Sequence, residues 1–204
     1  MRSLPRVYPI TDVQLSGLSH AEQVRLLSLG GASLIQLREK RMPALEFYEQ
    51  ARAAQQSGVQ LIINDRVDIA LAVGAAGVHL GQDDLPPEVA RKLLGPEAII
   101  GYSTHNIDQA INAIRRPIDY LAVGPIFSTG TKSDTAPVLG LQALRAVRQA
   151  IGRFPLVAIG GINAGNAGEV MDAGADSVAV ISALLVPPDC IQASTETLFE
   201  LCQT

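Results

Sequence analysis

Three cations and two carboxylates stand where short apolar runs give way to polar residues. The cations are Arg38, Lys40 and Lys132; the carboxylates are Asp65 and Asp84. Cations gathered from distant parts of a chain make an anion site. Carboxylates set among them call for a hard divalent metal, because Mg2+ takes one or two carboxylates and completes its shell with water and phosphate oxygens. The combination reads as a site for a Mg2+-bound polyphosphate, with salt bridges between neighbouring surface loops as the ordinary alternative. A second set, Gly160-Gly161 and Ser182 with its neighbouring backbone, offers N–H groups that could hold a monophosphate.

These readings require elements that bring the residues together. Eight short, β-branched apolar runs recur: RVYPI (6–10), LIQL (34–37), QLIIN (60–64), GVHL (77–80), AIIGY (98–102), YLAVG (120–124), PLVAIG (155–160) and SVAVI (177–181). Each is too short for a helix and lacks the alternation of a half-wet strand, as expected of strands covered on both faces in a parallel sheet. Helical patterns lie between them. Ser19 and Glu22 form a capping box, and that helix ends at Gly30-Gly31. Pro43 is placed at the first helical position of the next, and Pro87 opens another. Asn106 with Gln109, and Asn166 with Glu169, are read as further N-terminal caps, and the last helices as Leu141–Ile151 and Thr195–Cys202.

Eight strand–helix units in 204 residues predict a compact α/β chain, a (β/α)8 TIM barrel forming a single domain over 1–204. Such barrels carry their chemistry at the C-terminal strand ends. There the sequence places Gln36, Arg38, Lys40, Asn64, Asp65, Asp84, Ser103, Gly161 and Ser182. The opposite rim reads as mostly Gly, Ala, Pro and turn residues.

GPIFSTGTKS (124–133) nearly matches a phosphate-binding P-loop, but Thr131 separates Gly130 from Lys132. Pro125 removes an N–H from the would-be cradle, and the next helical pattern begins only near Leu141. The segment reads instead as a mobile barrel loop that brings the Lys132 cation to the mouth. His79, between Val78 and Leu80, is equally a site wall or a satisfied core residue; His105 is read as a cap or wall group. No paired nucleophile and base stands out.

The net charge of −4 leaves no footprint for nucleic acid or an anionic membrane. Cys190 and Cys202 are expected to be reduced structural thiols. The N-terminus lacks an apolar signal core and no apolar run reaches membrane length, so a cytoplasmic protein is expected, acting on small molecules alone or as a homodimer.

With these residues in view, the chain resembles the thiamine-phosphate synthase (thiamine-phosphate pyrophosphorylase) family over nearly its whole length. The resemblance rests on YPITD, IQLREK, INDRVDIAL, GVHLGQDD, IGYSTHN, YLAVGPIFSTGTK, VAIGGI and VAVISAL. It implies a barrel that couples 4-amino-2-methyl-5-hydroxymethylpyrimidine diphosphate to a thiazole phosphate, plain or carboxylated. The implied products are thiamine phosphate and diphosphate, and Mg2+ is required. By resemblance, Gln36, Arg38, Lys40 and Asn64 contact the diphosphate, Asp65 and Asp84 hold Mg2+, and Ser103 contacts the diphosphate or pyrimidine. Lys132 is matched to a lysine reaching the diphosphate; Thr129, Thr131, Gly161, Ile181 and Ser182 are matched to the thiazole-phosphate pocket. Of these, Lys132, Arg38 and Ser103 are expected to assist catalysis. Gly130 occupies a variable position, and GGIN is followed by a short AGN turn. Rival readings are a thiazole-tautomerase-like paralogue and a non-catalytic phosphate-binding barrel. The complete set of cations and carboxylates favours the synthase.

Overall fold

A computed structural model describes residues 4–130 and 137–202. Eight parallel strands close on themselves in sequence order: β1 (Val7–Thr11), β2 (Leu34–Leu37), β3 (Gln60–Asn64), β4 (Gly77–Leu80), β5 (Ile99–Thr104), β6 (Tyr120–Val123), β7 (Leu156–Ile159) and β8 (Ser177–Val180). β1 pairs with β2 through Ile10–Gln36 and with β8 through Tyr8–Ala179, which closes the ring. The expected single-domain barrel is the fold observed. Apart from Gln60, Ser103 and Ile159, every strand residue is buried, which explains the continuous apolar runs.

The strands owe their two packed faces to different residues. Leu61, Ile63, Val78, Leu80, Leu121 and Val123 are fully buried among the strand core and belong to one alternating set. The other set, Tyr8, Ile10, Gln36, Asn64, His79, Ser103, Ala122, Val157 and Ala179, lines the cavity at the mouth. Successive side chains point to opposite faces of a strand, so these two sets divide the helix-covered face from the barrel interior.

Several helix signals act as read. Ser19 Oγ accepts the Glu22 N–H at 3.2 Å before His20–Leu29. Asn106 Oδ1 accepts the Gln109 N–H at 2.8 Å before Ile107–Ala113. Pro87 is the first residue of Pro87–Leu94.

Others need correction. Pro43 is the N-cap of Ala44–Gln55, one position earlier than expected. Asn166 precedes Ala167–Asp172 without capping it; its Oδ1 accepts the Asn163 N–H and its Nδ2 donates to the Gly161 carbonyl. A side chain spent on the neighbouring turn is lost to the helix end. The last helix starts at Ile191 rather than Thr195. Two one-turn helices, Val13–Ser16 and Ser182–Leu185, had no periodicity long enough to announce them.

The rim opposite the mouth also differs from expectation, because it is richly charged. Arg148 donates to the carbonyls of Gly152, Phe154 and Gly174 and to Asp176 Oδ2. Asp176 Oδ2 in turn accepts the Leu156 N–H at 2.8 Å. Arg91 repeats the device: it donates to the carbonyls of Gly95, Pro96, Ala98 and Pro117 and to Asp119 Oδ2, which accepts the Ile100 N–H at 2.7 Å. Each clamp ties a helix end to the start of two strands.

Candidate active site

The C-terminal strand ends surround a cavity of about 580 Å3, ample for a two-ring ligand. Gln36, Arg38, Lys40, Asn64, Asp65, Asp84, Ser103, Thr129, Gly161, Ile181 and Ser182 all line it. Eleven expected site residues from β2 to β8 therefore meet at one mouth. Thr131 and Lys132 lie outside the described residues.

The β2 end supplies the cations. The backbone N–H of Arg38 approaches Thr11 Oγ1 at 3.4 Å, and its guanidinium pairs with Asp12 Oδ2 at 2.9 Å. Asp12 is itself held, since its N–H donates to Gln23 Oε1 at 3.0 Å. Both members of the Arg38–Asp12 pair are largely shielded, so the guanidinium has little freedom to swing. Glu39 turns back to accept the N–H groups of Lys40, Arg41 and Met42; although burial opposes it, those backbone donors hold its carboxyl below the usual carboxylate range. Lys40 is thereby aimed across the mouth, where its ammonium pairs with Asp65 Oδ2.

Asp65 directly follows β3 with φ of 62°. The Arg66 N–H donates to the Asn64 carbonyl at 2.7 Å, closing a tight turn around it. A non-glycine residue in the left-handed region stores strain, and such strain clusters at functional positions. The turn keeps the Asp65 N–H on the His79 carbonyl at 2.8 Å while its carboxylate faces the cavity.

Burial pushes the Asp65 carboxyl up; the Lys40 ammonium opposes that rise and the neighbouring Asp84 carboxylate adds to it. Asp84 is fixed by the Gly81 N–H at 2.6 Å. Two carboxylates so placed repel until a cation comes between them. They form a pair: among the described residues no group of three His, Cys, Asp or Glu side chains could hold a metal. Next to them, the buried Nδ2 of Asn64 has no hydrogen-bond partner. A buried donor left open in a cavity is ready for a ligand oxygen.

The β6–β8 side is built of backbone. Gly160 and Gly161 have φ of 107° and 64°. A Cβ on Gly160 would sit 2.6 Å from Pro125 Cα, and one on Gly161 2.6 Å from the Ser128 carbonyl oxygen. These glycines therefore serve the packing of the strand-six loop as well as the cavity wall. That loop is anchored by the Phe127 N–H on the Gly160 carbonyl at 3.0 Å. Ser182 opens its one-turn helix beside Ile181.

His79 resolves as both things at once. It is buried yet lines the cavity, with Nδ1 2.9 Å from the Tyr120 hydroxyl and Nε2 2.8 Å from Ser103 Oγ. His105 Nδ1 bonds the Gly124 carbonyl at 2.8 Å, a wall group as read. Tyr8 and Tyr120 were missed, since a tyrosine inside an apolar strand looks like core; the polar partner of Tyr120 is 41 positions away at His79. Cys190 and Cys202 are free thiols.

A closed (β/α)8 barrel with cations, an open amide donor and a carboxylate pair at its C-terminal mouth has the layout of a barrel enzyme. The comparisons narrow that class. Residues 7–184 match the family described as thiamine monophosphate synthase. A thiamine-phosphate synthase from Chloroflexus aurantiacus is 47% identical over 196 residues, 94% of this chain and 90% of the relative. Another from Moorella thermoacetica is 51% identical over 193 residues, 92% and 91% of the two chains. A solved thiamine phosphate pyrophosphorylase from Pyrococcus furiosus superposes with a TM-score of 0.87 at 39% identity, covering 97% of this chain and 95% of its own. The chain belongs to the thiamine monophosphate synthase family.

Proposed function

We propose that this cavity joins 4-amino-2-methyl-5-hydroxymethylpyrimidine diphosphate to a thiazole phosphate, releasing diphosphate. Formation of thiamine phosphate as the product follows from membership of the family. The observation that carries the site reading is the meeting of Asp65 and Asp84 beside Lys40 and the unpartnered Asn64 amide, all in one cavity. Two carboxylates with open space for water and diphosphate oxygens suit Mg2+. The Asp65 carboxyl, raised first by burial and further by Asp84 against the pull of Lys40, fits the need for a cation there. When bound, Mg2+ would neutralise the departing diphosphate.

The chain's own groups do the rest. Arg38, held by Asp12, and Lys40 present positive charge to the leaving oxygens; the Asn64 Nδ2 and Gln36 add neutral donors. Lys132, outside the described residues, is assigned to the same task by its place in the sequence. Gly161, Ile181 and Ser182, with Thr129 from the strand-six loop, hold the thiazole phosphate so that the ring nitrogen faces the pyrimidine CH2. A reaction that ionises the pyrimidine carbon before attack needs charge neutralisation and positioning more than acid–base chemistry. His79 Nε2 does lie 2.8 Å from Ser103 Oγ, but a dissociative route needs no attack by that serine.

The direct test supplies both substrates and Mg2+ to folded protein and follows thiamine phosphate and diphosphate. Equimolar appearance of the two supports the reading. Isomerisation of the thiazole without coupling, or no turnover by soluble folded protein, contradicts it.

A further inference from the structure

Five side chains from five strands form one hydrogen-bonded chain through the barrel interior. Gln36 Nε2 donates to the Tyr8 hydroxyl at 3.1 Å, and the Tyr8 and Tyr120 hydroxyls are 2.9 Å apart. Tyr120 then meets His79 Nδ1 at 2.9 Å, and His79 Nε2 meets Ser103 Oγ at 2.8 Å. Tyr8 and Tyr120 are essentially inaccessible to solvent. The rings are held as well: Tyr8 and Tyr120 meet edge to face at 88°, and His79 stacks on Tyr120 with centroids 5.5 Å apart. Gly101 makes the contact possible, since a Cβ there would lie 2.3 Å from the Tyr120 hydroxyl and 2.5 Å from His79 Nδ1.

The donor at one end sets the direction of every bond. Tyr8 oxygen accepts from Gln36, so its own hydrogen goes to Tyr120. Tyr120 passes its hydrogen to His79 Nδ1. His79 therefore carries its proton on Nε2 and donates to Ser103 Oγ, which leaves the Ser103 hydrogen to point into the cavity. The reverse order would leave the Tyr8 hydrogen without an acceptor in a buried place, which is costly. Burial pushes both phenols well up, so each keeps its hydrogen.

We propose that Tyr8 and Tyr120 are positioning residues that act through His79 to present Ser103 as a hydrogen-bond donor to the leaving diphosphate. The ligand named here rests on the function proposed above; the direction of the chain does not. Its first test therefore uses the protein without substrates. In 15N-histidine-labelled protein, long-range 1H–15N correlation should show His79, assigned by its loss in His79→Gln, protonated at Nε2. Protonation at Nδ1 would overturn the proposal. Gln36→Glu replaces the donor by a group that only accepts, so the His79 proton should move to Nδ1; a proton retained on Nε2 would also count against it.

The kinetic test is a double-mutant cycle. Tyr120→Phe should lower kcat about tenfold with KM for the thiazole phosphate unchanged, because a leaving-group donor acts in the transition state. In a Ser103→Ala background the same change should cost less than about twofold. An equal cost in both backgrounds would reduce Tyr120 to a structural role. Failure of the coupling assay with Nε2 protonation intact would instead remove the diphosphate and leave the relay standing.

Discussion

The two rims of this barrel use the same residue types for opposite ends. At the N-terminal rim, Arg91 and Arg148 each bond an aspartate and several carbonyls, and each aspartate also takes a strand N–H. At the C-terminal rim, Asp65 sits in the left-handed region against another carboxylate, and the Asn64 Nδ2 has no partner. A charge whose hydrogen bonds are all met inside the protein stabilises the fold. A buried polar group with an unmet bond, such as the Asn64 amide, destabilises it slightly and is available to a ligand. The difference teaches that an ion pair becomes a candidate site by what its members still lack.

The largest effect should come from Asp84→Ala. Turnover at limiting Mg2+ should fall by about 10^3-fold, with the urea midpoint little changed because relief of the repulsion on Asp65 offsets the lost Gly81 N–H bond. Near-normal turnover would break the reading of this rim as catalytic. Next comes His20, buried beneath the β2 loop with Nδ1 2.7 Å from Thr11 Oγ1 and Nε2 3.6 Å from Glu39 Oε2. Burial lowers its pKa from 6.5 to about 4, against the partial pull of Glu39. The unfolded chain thus takes the proton first as pH falls. Stability that is present above pH 6.5 should decline toward pH 4, by up to about 3 kcal/mol from this group. His20→Gln should flatten that part of the pH dependence of urea unfolding; an unaltered slope would assign it to the carboxylates.

Arg148→Met should lower unfolding free energy by about 2 kcal/mol, since three carbonyls and Asp176 lose a charged donor, while kcat/KM stays as in the parent. A loss of rate larger than the loss of folded protein would blur the division between the rims. Gly161→Ala sharpens it from the other side. At φ of 64° with the Ser128 carbonyl in the way, it should cost about 1–2 kcal/mol of stability and raise KM for the thiazole phosphate. There, as at Gly160, fold and site share a residue.

Much of this was legible in the residues. Eight β-branched runs required parallel strands, and the barrel then placed Arg38, Asn64, Asp65, Asp84, Ser103 and Ser182 at one mouth. The N-terminal rim was misread because Arg91 and Asp119 are far apart in sequence and each alone looks like a solvated helix or loop charge; only the fold shows that they meet. Tyr8 and Tyr120 were invisible for the same reason. Asn166 had the residue type and spacing of a cap, yet the Gly161 carbonyl and the Asn163 N–H claimed its side chain. Local signals predict local bonds well until a loop from elsewhere offers a competing partner.

We propose that the charged rim between β2 and β5 binds diphosphate through a divalent cation while the opposite rim only stabilises. Calorimetric titration of inorganic diphosphate, with and without Mg2+, tests it in three proteins. Mg2+-dependent binding is expected in the parent and in Arg148→Met, and its loss in Asp84→Ala. Binding of equal strength in all three, or binding in the parent indifferent to Mg2+, would contradict it.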